Sequence, residues 1–323
     1  MRYGVRRPRG GVGTALLGSL ALLVAPAAPA TADPTTVESA YTAAGPYPVT
    51  TGTVTGAVTY DVYRPADYAA LGFPSPIVTW GNGTGATPAE YTTLLDHLAS
   101  WGFTVIAATQ TNTGSGNALV AGAQYLVAAD GDPASPYYRH LDPGAVAAVG
   151  HSQGAGGATR AALNHPELIR TLVTFSLPWN GQGPAGTIWN QPGGTGWVGA
   201  NPDCPTAADC WFNPAALTVP AFFVGTHGAL DGLIANPAVE RYYVDEVAGP
   251  AALGLIQNSE GGTADHSSIQ NAANGGHPTG FLGYVTAWLA YRLRGDAYAA
   301  RAFSGTGPEL VANTNWPGSA AKP

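Results

Sequence analysis

Ala145-Val146-Ala147-Ala148-Val149-Gly150-His151-Ser152-Gln153-Gly154 is the stretch on which the reading of this chain turns. A short apolar run ends at a glycine, a serine stands two residues later, and a second glycine follows at the same interval. Gly156, Gly157 and Ala158 then open a run with helical character. The pattern predicts a strand that turns abruptly into a helix. A serine held in a strained conformation at such a turn needs neighbours two before and two after it that lack bulky side chains. The turn lifts the Ser152 hydroxyl above the sheet and sets it at a helix N-terminus, where developing negative charge is favoured. Ser152 is therefore expected to act as a nucleophile rather than as a structural turn residue.

Working outward, short β-type runs alternate with helical patterns, which predicts parallel strands joined by helical crossovers, an α/β architecture. Strands are expected at Thr59–Tyr63, Ile77–Trp80, Thr104–Ala108, Val146–Val149, Leu172–Phe175, Ala221–Gly225 and Leu253–Gln257. Thr87-Pro88-Ala89-Glu90 supplies an N-cap, a proline at the first helical position and a capping-box glutamate. The helix that they open carries Tyr91, Leu94, Leu95 and Leu98 at helical spacing. Further helices are expected at Ala118–Ala129, from Gln153, at Pro237–Val247, and as an amphipathic helix at Phe281–Leu293, with an irregular tail from Gly305. Residues from about Asn180 to Pro214, rich in Gly, Pro, Asn and Trp, read as an insertion or a loop over the site.

A serine nucleophile needs a base, and the base needs a carboxylate to orient it. At a strand-to-helix elbow the chain order is serine, acid, histidine. His97, His140 and His151 precede the serine or lie inside the elbow, and His165 falls on the helix after it. His227 stands where the acid is expected. His266 follows the last strand by a short loop and is the favoured base; His277, just before the final helix, is the alternative and otherwise caps that helix or contacts substrate. Asp231, six residues beyond Gly225, is the favoured acid. Asp203 and Asp209 belong to the insertion, Glu240 and Asp245 read as helix-surface residues, and Asp265 adjoins His266 too closely to reach its ring.

Two backbone N–H groups are expected to hold the oxyanion: that of Gln153, after the nucleophile, and one from Gly81-Asn82-Gly83-Thr84-Gly85. Glycines there let the backbone approach a substrate oxygen, and Gly83 is a candidate substrate contact. No Gly-Lys-Ser/Thr follows, which argues against a phosphate loop.

The chain has 323 residues and a formal charge of −7. Arg2, Arg6, Arg7 and Arg9, an apolar run from Ala15 to Val24, and Ala30-Thr31-Ala32 before Asp33 have the layout of a secretory signal peptide at residues 1–32. Residues 33–323 are long enough for one domain with a large core. The expectation is a secreted, extracellular, monomeric protein. An acidic, lysine-poor chain argues against nucleic acid or a membrane surface as partner. Cys204 and Cys210, with five residues between them, read as a local disulfide in an exported protein. No metal or cofactor is called for.

Taken together, Leu98-Ala99-Ser100-Trp101-Gly102-Phe103-Thr104-Val105-Ile106, Gly150-His151-Ser152-Gln153-Gly154, Pro178-Trp179-Asn180 and Ala287-Trp288-Leu289 carry a family likeness. From about Thr59 to Phe303 the chain resembles the bacterial polyester hydrolases, cutinase-like and poly(ethylene terephthalate)-hydrolyzing enzymes in the dienelactone-hydrolase-type branch of the α/β-hydrolases. The resemblance implies a mostly parallel sheet flanked by helices on both faces, with Ser152, Asp231 and His266 as the triad. It implies Thr84 as the second oxyanion donor and Trp179 as a residue that stacks on substrate. The chain departs from the family at Thr84, where an aromatic residue is usual, and at Gln153, where methionine is usual. It departs also in the insertion and in the placing of its cysteines. The function expected is hydrolysis of carboxylic esters, cutin-like or aromatic polyester or other apolar esters. A small-ester esterase, an extracellular acyltransferase and a non-catalytic binding protein are the alternatives.

Overall fold

The structure is a computed structural model that describes residues 1–4, 36–178, 214–235 and 237–323. The chain divides into a leading segment, Met1–Asp33, and a compact body, Pro34–Pro323. Of the segments singled out from the sequence, the leader from residue 5 onward, Trp179, the insertion up to residue 213 and the cysteine pair Cys204/Cys210 lie outside the described residues.

In chain order the strands are β1 (Val49–Thr55), β2 (Thr59–Pro65), β3 (Ser75–Gly81), β4 (Thr104–Ala108), β5 (Leu141–His151), β6 (Thr171–Phe175), β7 (Ala221–Thr226), β8 (Ala251–Ile256), the short pair β9 (Asn258–Ser259) and β10 (Gly262–Thr263), and β11 (Ala320–Lys322). The main sheet runs β1-β2-β4-β3-β5-β6-β7-β8-β11. Strands β3 to β8 pair in parallel, and β1, β2 and β11 join antiparallel at the two edges. The parallel strands are near-continuous apolar runs because both faces are covered, and all of β3, β4, β6, β7 and β8 is buried. The threonine-rich β1, at the edge, is mostly exposed or half-buried.

Successive side chains on each strand feed opposite cores. Val78, Trp80, Val149, Phe175 and Phe222 meet α2 (Thr92–Ser100) and α7 (Thr279–Arg294) on one face. Ile77, Ala148, Leu172 and Phe223 meet α3 (Asn117–Gly131), α4 (Gln153–Asn164) and α6 (Pro237–Glu246) on the other. Trp80 and Trp288 are fully buried. Pro88–Tyr91 forms a 3-10 turn leading into α2, with the Glu90 carboxylate accepting from Thr87 N at 2.7 Å.

The tail expected to be irregular from Gly305 is instead built into the fold. Helix α8 (Glu309–Ala312) and β11 lie in it, Trp316 is fully buried, and β11 extends the sheet beyond β8. The Glu309 carboxylate accepts the first N–H groups of α1 (Val37–Thr42), from Val37 at 2.7 Å and Glu38 at 2.9 Å. Helix α1 packs so closely on α7 that a side chain at Gly283 would meet the Glu38 carbonyl at 2.6 Å. That packing explains a second difference: α7 is buried all round from Phe281 to Ala290 rather than amphipathic.

Candidate active site

Strand β5 ends at His151, and Ser152 takes φ 53 and ψ −120 before α4 begins at Gln153. This is the strained elbow that the spacing predicted, and close packing holds it. A Cβ at Gly150 would strike the Gly154 carbonyl, one at Gly154 would strike the Gly81 carbonyl, and one at Gly81 would come within 2.8 Å of the Gly154 carbonyl. Ser152 N donates to the Phe175 carbonyl at 2.8 Å, tying the elbow to β6.

The Ser152 Oγ lies 3.0 Å from His266 Nε2, and His266 Nδ1 lies 2.8 Å from Asp231 Oδ1. A carboxylate only accepts, so Nδ1 carries the ring proton and Nε2 is free to accept from the serine hydroxyl. Asp231 sits in the first turn of α5 (Ala229–Ile234), just beyond β7, and is buried; Ser152 and His266 are each exposed by less than a tenth. The other Asp231 oxygen accepts from Ser176 Oγ and Thr226 N, both at 2.9 Å. His277, the alternative base, instead lies 3.5 Å from Glu260 at the surface. His165 is the C-cap of α4, and His227 Nε2 donates to the Pro317 carbonyl at 2.9 Å, outside the site.

Gly83, Thr84, His151, Ser152, Pro178, Ile234, His266, Ser267 and Gln270 line a cavity of about 270 Å³. Larger hollows, of about 580 Å³ beside Trp101 and Arg294 and about 640 Å³ beside Gln110 and Asn112, hold no nucleophile–base pair. Thr84 is exposed at the rim. Gln153 leads α4, so its N–H belongs to the unpaired first-turn donors of a helix. Its side chain turns away: Oε1 accepts from Thr113 N at 2.9 Å, while Thr113 Oγ1 donates to the Asn82 carbonyl at 3.0 Å. Asn82 is itself fixed by Trp80 Nε1 at 2.9 Å and by the Ala108 carbonyl at 2.7 Å. The Gln153 side chain is thus a strut between the elbow and the loop bearing Thr84. Gly83 lines the cavity, but its N–H donates to Tyr91 Oη at 3.0 Å and is not available to a substrate.

Four polar residues escaped the sequence reading. Ser176, directly after β6 at φ 51, carries no local signal for its bond to Asp231. Asp265 cannot serve the ring beside it, but its carboxylate accepts from Asp231 N at 2.9 Å and His266 N at 2.8 Å, linking acid loop to base loop. An Asp-x-x-Ser capping pattern, Asp265 to Ser268, was the available clue. Tyr91 was read as one more apolar residue on a helical face, yet its hydroxyl points at the elbow. Glu240, read as a helix-surface residue, is fully buried behind Asp231, and among the described residues neither carboxyl oxygen has a well-formed hydrogen bond. Loss of water, aided by the nearby Asp231 charge, pushes its carboxyl well above the ordinary value, and the neighbouring Leu177 amide only partly opposes this.

A family model of PET hydrolase-like proteins, PETase, matches residues 25–188, from the leading segment through the elbow. No curated protein matches the chain. Given that match, together with the sheet order and the mostly parallel pairing, the chain belongs to the PET hydrolase-like family of α/β-hydrolases and is an ester hydrolase.

Proposed function

We propose that the protein is a secreted serine carboxylic-ester hydrolase that works through an acyl-enzyme on Ser152 and acts on polyester or other apolar esters. The observation that carries this reading is the unbroken run Ser152 Oγ–His266–Asp231 at 3.0 and 2.8 Å. In the first half-reaction Ser152 Oγ attacks the ester carbonyl carbon while its proton passes to His266 Nε2. Asp231 orients the ring and balances the imidazolium. The oxyanion is held by the N–H groups of Thr84 and Gln153, each such donor being worth about 3 kcal/mol. The carbonyl–alkoxide bond then breaks, and His266 returns the proton to the leaving alcohol. Water, deprotonated by His266, releases the acid in the second half. The leader at residues 1–32 supports secretion, and a bond between Cys204 and Cys210 suits that compartment. Trp179, next in sequence to the cavity residue Pro178, is the candidate for stacking on an aromatic acyl group.

The test is hydrolysis by the purified protein of a p-nitrophenyl acyl series and of suspended aliphatic and aromatic polyester films. Replacing Ser152 by Ala should lower kcat by about 10⁶-fold on every substrate. Soluble products from the film, absent with the variant, would establish polymer access. Turnover of the soluble esters alone would restrict the activity to small esters, and equal activity of the variant would remove Ser152 from the mechanism.

A further inference from the structure

His151, the variable residue of the elbow, is fully buried between two hydrogen bonds. Its Nδ1 lies 2.9 Å from Tyr91 Oη, and its Nε2 lies 2.9 Å from the backbone carbonyl of His266. The Tyr91 oxygen in turn accepts from Gly83 N at 3.0 Å. Chemistry fixes the direction of every bond. A carbonyl only accepts, so Nε2 carries the imidazole proton; Nδ1 is then the acceptor, and Tyr91 must donate its hydroxyl proton to it. The tyrosine oxygen is left with its lone pairs for the Gly83 N–H. We propose that Tyr91 and His151 are positioning residues, a rigid relay that holds the loop bearing Thr84 and the loop bearing His266 at one spacing about Ser152.

The inference rests on the serine-esterase reading and deepens it. The relay joins the two parts of the site that must move least: the backbone that receives the oxyanion and the ring that receives the proton. A displacement of about 1 Å in such a constellation costs on the order of 10²-fold in rate. The fit is tight, since a Cβ at Gly83 would come within 2.9 Å of both His151 Nδ1 and Tyr91 Oη. It also depends on neutrality. The groups that face His151 are Tyr91 and His266, whose rings lie 5.7 and 4.8 Å from its own. The His266 ring becomes an imidazolium during acylation, so a second charge at His151 would oppose it, while a protonated Nδ1 would confront the Tyr91 proton. Burial and the neighbouring His266 hold the His151 imidazole well below its ordinary range.

Tyr91→Phe keeps the ring and removes the relay's central oxygen. Active sites are first counted with a fluorophosphonate; kcat, KM and the affinity of a boronic acid that forms a tetrahedral adduct on Ser152 are then measured. The expected result is a fall in kcat and in boronate affinity by the same factor, between about 10- and 100-fold, with KM changed by less than about threefold. Unchanged kcat per titrated site, or a fall in melting temperature alone, would overturn the relay. Nitrogen NMR of histidine-labelled wild type reads it without any variant: His151 should show the Nε2–H tautomer at neutral pH, and the Nδ1–H form or an imidazolium would overturn it. A wild type that neither hydrolyses esters nor reacts with the fluorophosphonate would overturn the esterase reading and the relay with it. An active wild type matched by Tyr91→Phe would overturn the relay alone.

Discussion

The Asp231 carboxylate meets three donors among the described residues, and only one of them is the His266 ring. Its Oδ2 is shared by Ser176 Oγ and Thr226 N, so the plane of the carboxylate, and with it the direction of Oδ1, is set from behind. A hydrogen bond to a charged group is worth about 1.5–3 kcal/mol. Removing one of the two rear donors should therefore loosen the acid without freeing it. Ser176→Ala is expected to lower kcat about tenfold, a change of about 1.4 kcal/mol, with KM unaltered in steady-state kinetics. Because Ser176 stands at φ 51, alanine adds backbone strain there. Ser176→Gly lacks the same hydroxyl and relieves that strain, so an equal loss of kcat in both assigns the effect to the hydroxyl. Activity at the wild-type level in both would mean that the Thr226 amide suffices.

At the scale of elements, the two chain-distant pieces α1 and the Glu309–Lys322 tail act as one unit. Trp316 Nε1 donates to Glu38 Oε1 at 2.7 Å, Asn313 Nδ2 donates to the other Glu38 oxygen at 2.6 Å, and Glu309 caps α1. Trp316→Ala is expected to cost about 3–5 kcal/mol from lost burial, read by denaturant unfolding. The same variant, far from Ser152 in the chain and bonded to another element, should keep its kcat per folded site; a matching loss of kcat would show that the tail reaches the site. The tail also marks the limit of what the sequence makes legible. The inner strands announce themselves as apolar runs, and the elbow as a glycine-spaced serine, because a local physical demand fixes each pattern. Residues 305–323 carry Gly305, Gly307, Pro308, Pro317 and Gly318, and their order comes from partners on α1 and β8 that no local pattern names. Glu240 was misplaced for a related reason: a helix with charged neighbours such as Arg241 and Asp245 reads as solvated. The one charged position that faces the sheet is set by where α6 docks. Ser152, Asp231 and His266 could be chosen from chain order and strand ends; Tyr91, Ser176 and Asp265 could not, since their roles exist only across the fold.

For the molecule as a whole, buried titratable groups pull its stability in opposite directions along the pH scale. His151 and His97 are held neutral by burial, so the unfolded chain binds more protons as pH drops below their ordinary value of 6.5, and stability falls on the acid side. Glu240 is held protonated in the fold, so the folded chain binds more protons than the unfolded one above the ordinary glutamate value of 4.5. Its contribution is complete below that value and is lost as pH rises toward its elevated folded value. Glu240→Gln cannot ionise. The variant's melting temperature relative to wild type should therefore rise between pH 5 and pH 8, each kcal/mol appearing as about 2–4 °C in a chain of this size. A difference that stays flat across that interval would mean that Glu240 does not titrate differently on folding.

The close contact of Gly81, Gly150 and Gly154 bears on how such a molecule can change over generations. Any side chain at these three positions meets backbone, and backbone cannot step aside as a flexible side chain can. They are closed to drift for reasons of space alone, whatever ester is being cleaved. Room to alter what is cleaved lies with residues that border the cavity through their side chains, Thr84, Ile234, Ser267 and Gln270. A library built to broaden or redirect the enzyme should leave the glycines untouched and spend its diversity there.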